Sequence, residues 1–265
     1  MISEPGISAA LSDALIELAG PLPAEERARR LATAVSRACG GAGTEVVFTN
    51  DDGGIAATAG SDPGCTHLTA LERRLARDGG AGPGLECARS GEAVTIPLVA
   101  GPPTGGDGEA PSPFTIWAAA ARAQGWALLR AVPLRARDLT VGGLVLLATG
   151  GRPLTAAHLA WADALGGVSA AGLLQQRHLD GERLAGEQLA MALRSRIVLE
   201  QAKGVLAERG GVDVQVAFDR LRRYARTRRQ RLTDAARDVV EGEAADDVLT
   251  FTGSPGTPTG RRRSR

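Results

Sequence analysis

The sequence predicts an α+β N-terminal part followed by an all-helical C-terminal part. Three observations carry this expectation. Short β-branched or apolar runs alternate with Gly, Pro, Asn and Asp clusters up to about residue 150. No comparable run follows Gly150-Gly151, and apolar residues then recur at helical spacing as far as Val240.

Ile7 to Ala19 and Ala24 to Cys39 read as helices, the second carrying Leu31, Val35 and Ala38 on one face. Glu45-Val-Val-Phe-Thr49 reads as a strand. Asn50-Asp-Asp-Gly-Gly54 has turn chemistry, so Ile55 to Thr58 should return as the second strand of a hairpin. Thr66 to Arg77 is amphipathic and helical, and Gly79 to Gly84 is expected to be a flexible loop. Val94 to Val99 is a strand whose Pro97 places it at an edge or an end. Residues 101–113, GPPTGGDGEAPSP, have the composition of a disordered surface loop inside one domain, because strand-like sequence resumes beyond them. Phe114 to Gln124 is helical, and Ala127 to Leu134 with Val141 to Thr149 form an antiparallel pair.

Beyond residue 150, Thr155 caps a helix through His158, Trp161, Leu165 and Val168. The connector 175–188 is expected to be a helical link between the two parts, although Gly181 and Gly186, each costing a helix about 1 kcal/mol relative to Ala, leave a hinge there as the alternative. Leu189, Leu193 and Ile197 then open a long helix that should end at Gly210-Gly211. Asp213 caps the next, with Ala217, Phe218, Leu221 and Ala225 buried, and Thr233 caps a short third. The domain division expected is 1–174, the connector 175–188, 189–241, and a disordered tail over 242–265.

The net charge of the whole chain is +1, so attraction for a polyanion has to come from a local patch. One is present. Arg220 to Arg231 holds seven arginines in twelve residues without an acid, and Lys203, the sole lysine, stands just upstream. Arg222, Arg226 and Arg229 fall at i, i+4 and i+7, opposite the apolar stripe, so one face packs and the other meets phosphate. Tyr224 among them has two readings: stacking on an unpaired base, or packing with its hydroxyl at the surface.

Cys39, Cys65 and Cys87 form no CxxC or Cys/His cluster, which argues against a disulfide framework or a zinc site and for a reducing cytoplasm. His67 beside Cys65 lacks further ligands, so neither metal nor haem is indicated. The first 22 residues carry no basic stretch followed by an apolar run, and no stretch reaches membrane-spanning length. The Gly79 to Gly84 loop lacks the Lys-Ser/Thr of a phosphate-binding loop, and neither Gly-x-Ser-x-Gly nor His-Glu-x-x-His occurs, so no enzyme is expected. Asp51-Asp52 could suggest a phosphoacceptor, but the β/α alternation of a receiver is missing.

Ala190-x-x-Leu193-x-Ser-Arg196-Ile-x-x-x-Gln201-Ala-Lys-Gly204-Val-Leu, then Ala217-Phe-x-x-Leu221-Arg-x-x-Ala225, then Leu232-x-Asp-x-Ala236 resembles an ANTAR domain. The resemblance implies a three-helix bundle that follows a dimerising helix and binds RNA hairpins in nascent transcripts, so that a terminator cannot form. Lys203, Arg222, Arg223, Tyr224, Arg226, Arg229 and Arg231 are then the candidate RNA contacts. Gly82-Pro-Gly-Leu-Glu86 with Ser90-Gly91, and Ala131-Val-Pro-Leu134 with Gly142-Gly-Leu-Val145, resemble a GAF domain. That resemblance implies a six-stranded or similar antiparallel sheet with a pocket for a small molecule of unknown identity. Related chains commonly read Gly-Pro-Cys-Leu where this one has Gly84, which removes the thiol from that position. Cys87, Trp117 and Trp126 are candidates to line the pocket, with core packing as the competing role. The function expected is a signal-responsive, cytoplasmic, homodimeric antitermination regulator. The alternative is a small-molecule or redox sensor acting through protein contacts without RNA.

Overall fold

Glu45 is the third residue of a strand that is buried along its whole length, β1 (Gly43–Thr49). Burial on both sides means that this strand is central, and the apolar run of β5 (Leu139–Ala148) lies beside it, buried from Val141 onward. The computed structural model describes residues 4–98 and 112–250. With β2 (Ile55–Gly60), β3 (Val94–Pro97) and β4 (Leu128–Ala136), the strands form a five-stranded sheet ordered β2-β1-β5-β4-β3, antiparallel throughout.

Residue parity sorts the sheet into two faces. Val46, Phe48, Leu144, Leu146, Val132 and Leu134 meet α1 (Glu4–Ala19), α2 (Ala24–Ala38) and the first turns of α6 (Ala156–Gly210). Leu129, Ala131, Val145 and Leu147 point the other way, into Leu68, Leu71, Leu75, Cys87 and Trp117. Those residues come from α3 (Pro63–Arg77), α4 (Pro83–Ser90) and α5 (Pro113–Ala123). Glycine lets α4 settle directly on the sheet, because a Cβ at Gly143 would run into the carbonyl oxygen of Gly84. On the other side, buried Arg27 donates to the carbonyls of Leu18 and, at 2.8 Å, Gly20, satisfying two acceptors at the end of α1.

The chain divides into two compact units, Met1–Asp180 and Gly181–Arg265. The second contains the end of α6, α7 (Val214–Arg228), α8 (Leu232–Glu241) and α9 (Ala245–Thr250). Ala202, Leu206, Ala217, Leu221, Tyr224, Ala236, Val239 and Val248 make its core. Asp213 accepts from the Gln215 N–H at 2.7 Å and starts α7, as its sequence predicts.

Several expectations need correction. The Gly79 to Gly84 loop leads into a helix, α4, opened by Pro83 at its first position and closed by Gly91 at φ 69°. The helical connector 175–188 is as expected, α6 running without a break through Gly181 and Gly186. Thr233 lies inside α8, whose N-cap is Arg231 without a side-chain cap bond. The basic run does not form one helix, since α7 ends at Arg228 and Arg229 takes the left-handed conformation at φ 54°. Part of the tail expected to be disordered folds as α9, anchored by buried Val248. The antiparallel sheet has five strands among the described residues, in keeping with the six-stranded or similar sheet expected. Ser112 caps α5 through the Thr115 N–H, while 101–111 and 251–265 lie outside the described residues.

Candidate nucleic-acid interface and buried carboxyl pair

On α7, Ala217, Leu221, Tyr224 and Ala225 sit at i, i+4, i+7 and i+8 and are buried. Arg222, Arg223 and Arg226 occupy the complementary positions and are exposed, and the turn into α8 adds exposed Arg229 and Arg231. Among the described residues these five arginines form no ion pair, so their charge is available to an incoming anion. Arg228 is engaged: it meets Asp247 at 3.3 Å and stacks 4.5 Å from the centre of the Tyr224 ring.

Two candidate contacts change role. Tyr224 is 2% exposed and packs in the bundle core, so its ring is not open to a base. Helical phase explains this, since residue 224 falls on the same stripe as 217 and 221. Lys203 is also tied down, 2.7 Å from Glu200 and 4.8 Å from the Phe218 ring. Two arginines outside the basic run had not been singled out by sequence. Arg194 and Arg237 join Arg231, Met191 and Val198 around a cavity of about 700 Å³ between α6 and α8. Their signal lay in tertiary packing, because residues 194 and 237 are far apart in the chain.

Residues 187–240 match the family model of the ANTAR domain. The arginines of α7, the α7–α8 turn and the Arg194–Arg237 cavity all fall within the ANTAR segment. α9 lies beyond it. No curated protein matches the chain.

Solved structures give distant likenesses. The chromophore-binding domain of a Stigmatella aurantiaca bacteriophytochrome shares 17% identity, with 63% of this chain and 60% of that one covered and a TM-score of 0.38. A bacteriophytochrome from R. palustris shares 11%, covering 76% and 43%, with a TM-score of 0.43. The GAF domain from Acinetobacter phosphoenolpyruvate-protein phosphotransferase shares 14%, covering 67% and 96%, with a TM-score of 0.41. The chain thus spans less than two thirds of the first two in length. At these scores the fold class rests on the strand order and the helices on each face. It is α+β, an antiparallel sheet with flanking helices, a long helix and then a helical ANTAR segment.

Cys87, Trp117 and Trp126 do come together, all on the face covered by α3, α4 and α5. Cys87 and Trp117 are buried, whereas Trp126 is half-buried with its ring against Gly43. His67 is exposed and points to no cluster. Asp51 and Asp52 are exposed turn residues, and Arg177 reaches the Thr49 carbonyl and lies 3.7 Å from Asp51.

The same face holds two carboxyl groups that sequence reasoning missed. Glu45 and Glu72 are each 0% exposed. Glu72 Oε1 accepts from the Leu85 N–H at 2.6 Å, tying α3 to α4, while its Oε2 and both Glu45 oxygens have no partner. Burial pushes the Glu45 carboxyl well above its ordinary range, and the neighbouring Glu72 and Asp62 add to the rise. Burial also lifts Glu72 to about 7 against the opposing pull of the Leu85 and Gly84 N–H groups. The signal was a lone acid at the head of an apolar strand, which reads as a strand end unless the strand is known to be central. Burial likewise pushes the Cys87 thiol up to about 11. Among the described residues no three His, Cys, Asp or Glu side chains are grouped to hold a metal ion, and no helix is long and apolar enough to cross a membrane.

Proposed function

We propose that the chain is a cytoplasmic, non-catalytic, RNA-binding transcription antitermination regulator. In this reading the N-terminal unit senses a small molecule and the ANTAR segment binds hairpin RNA in nascent transcripts. The observation that carries it is the set of exposed arginines with no ion pair, Arg222, Arg223, Arg226, Arg229 and Arg231, inside a segment that matches the ANTAR family. Exposed Leu189, Leu193 and Ile197 at i, i+4 and i+8 on α6 support a homodimer, since such a stripe gains by burial against a second copy.

The test is binding of the full chain to a two-hairpin RNA and a matched DNA duplex across a salt series, beside R222A/R226A/R229A. RNA selectivity is expected, with steep salt dependence from counterion release; the triple variant should bind weakly and with a slope smaller by about 2–3. Absence of RNA binding by the folded wild type would leave the alternative, a sensor that works through protein contacts. Coupling between units has its own criterion: ligand and RNA must change each other's affinity by the same factor.

A further inference from the structure

Glu45 does nothing visible for the fold. Glu72 at least fastens α4 through Leu85, but Glu45 is buried to 0% exposure with neither oxygen bonded. Buried polar groups are nearly always paired, and a carboxyl group with both oxygens unpaired calls for an explanation, a bound group among them.

Its surroundings narrow the choice. On β1 the residues sharing its face are Gly43 and Val47. A Cβ at Gly43 would lie 2.6 Å from the Trp126 ring and 3.0 Å from Cys65 Sγ. Val47 lies below Gly84, and a Cβ there would be 3.3 Å from both Glu72 oxygens. The Trp126 ring thus lies against Gly43, two residues from Glu45 on the same face, and Glu72 is near enough to act on the Glu45 carboxyl. Across the sheet it pairs with Gly60 and Val145, and Trp117, on the same face, has an indole N–H without an acceptor. The other titratable groups near the pair are Asp62 and Cys65 of the α3 end and Cys87 of α4, with Arg130 and Arg135 of β4 close to Cys87. Asp62 is occupied by the Cys65 N–H at 3.0 Å and the Ser61 hydroxyl.

We propose that this face is a binding site for a small organic ammonium ion, with Glu45 and Glu72 as its carboxylate acceptors and Trp126 as its aromatic wall. Two carboxylates in a dry site require a compensating positive charge, and an aromatic ring attracts the same charge. A metal ion fits less well, because no third ligand of the usual kind joins the pair among the described residues. Burial favours the protonated form of both carboxyl groups while the site is empty, so binding of a cation is expected to displace protons. The proposal rests on reading the N-terminal unit as the sensory part, and it supplies a ligand class for that part.

Methylammonium chloride is the probe, with sodium chloride at equal ionic strength as control. The full-length protein is followed by tryptophan fluorescence and melting temperature from about pH 6 to about pH 8. A saturable methylammonium response is expected, with apparent affinity rising up to about tenfold per pH unit while one proton is displaced. E45Q should fold, since glutamine copies the protonated acid and Glu45 has no partner to lose, and its response should vanish. E72Q should weaken it in the same way. A wild type that treats methylammonium and sodium alike, or an E45Q protein that responds as wild type does, overturns the proposal. RNA affinity in the same samples separates the two readings: saturable, Glu45-dependent binding without any change in RNA affinity keeps the site and removes its link to RNA.

Discussion

Lys203 places its ammonium 4.8 Å from the centre of the Phe218 ring and 2.7 Å from a Glu200 carboxylate oxygen, joining α6 to α7 within the C-terminal unit. The chain's sole lysine is thus a packing cation with only 20% of its side chain exposed. K203M should lower stability by about 0.5–1 kcal/mol in urea unfolding, the usual size of a cation–π contact that keeps some exposure to water. Its RNA affinity should fall less than that of R226A. A larger loss for K203M than for R226A would return Lys203 to the interface.

Tyr224 gives the converse test. Its ring is buried, so Y224A should cost about 3–5 kcal/mol of stability, as truncation of a buried aromatic does. Y224F should remain folded, lose at most about 1.5 kcal/mol and bind RNA as wild type does. A selective loss of RNA affinity in folded Y224F would mean that the hydroxyl, at least, reaches the ligand.

Stability should fall as pH rises. The folded Glu72 carboxyl sits at about 7, above the ordinary glutamate value of about 4.3, so between these values the folded chain holds a proton that the unfolded chain has released. Glu45 is raised for the same reason, and the two act in the same direction. Melting temperature measured from about pH 5 to about pH 8 should therefore decline, with a loss on the order of a few kcal/mol by the upper end. The decline should flatten in E45Q/E72Q. A melting temperature that rises over this window would show that both groups are ionised in the folded protein.

All three cysteines are buried, and burial pushes Cys39 and Cys87 up to about 11 and Cys65 higher still. Thiolate is the reactive form, so none should be modified by iodoacetamide in the native protein near neutral pH, while all three should react after unfolding. Rapid native alkylation of Cys87 would favour a redox sensor instead.

The order of elements was legible because local chemistry determined it. Asn50 to Gly54 made a hairpin, Asp213 capped α7, and the 3.6-residue stripe at 217, 221 and 225 chose the buried face. Where tertiary contacts decided, sequence reading failed. α4 is short and begins Pro-Gly, so the run before it looked like loop, although Pro83 at the start and Gly91 at the end were helix punctuation. Gly181 and Gly186 left the continuity of the connector open, since each glycine costs a helix about 1 kcal/mol, and α6 runs through both. The arginines were readable from composition. The carboxyl pair was not, since Glu45 and Glu72 meet only after strand and helix pack.

Gly84 is closely packed, and the cost of placing a cysteine there can be read from its neighbours. A Cβ there would come within 2.7 Å of Val47 Cγ2, and Val47 is a fully buried residue of the central strand with little freedom to retreat. G84C alone should therefore strain the seat of α4, whereas G84C joined to V47A makes room for the new atom. Residues 84 and 47 are thereby tied: either change alone is a loss, and a thiol at 84 fits only above a smaller side chain at 47.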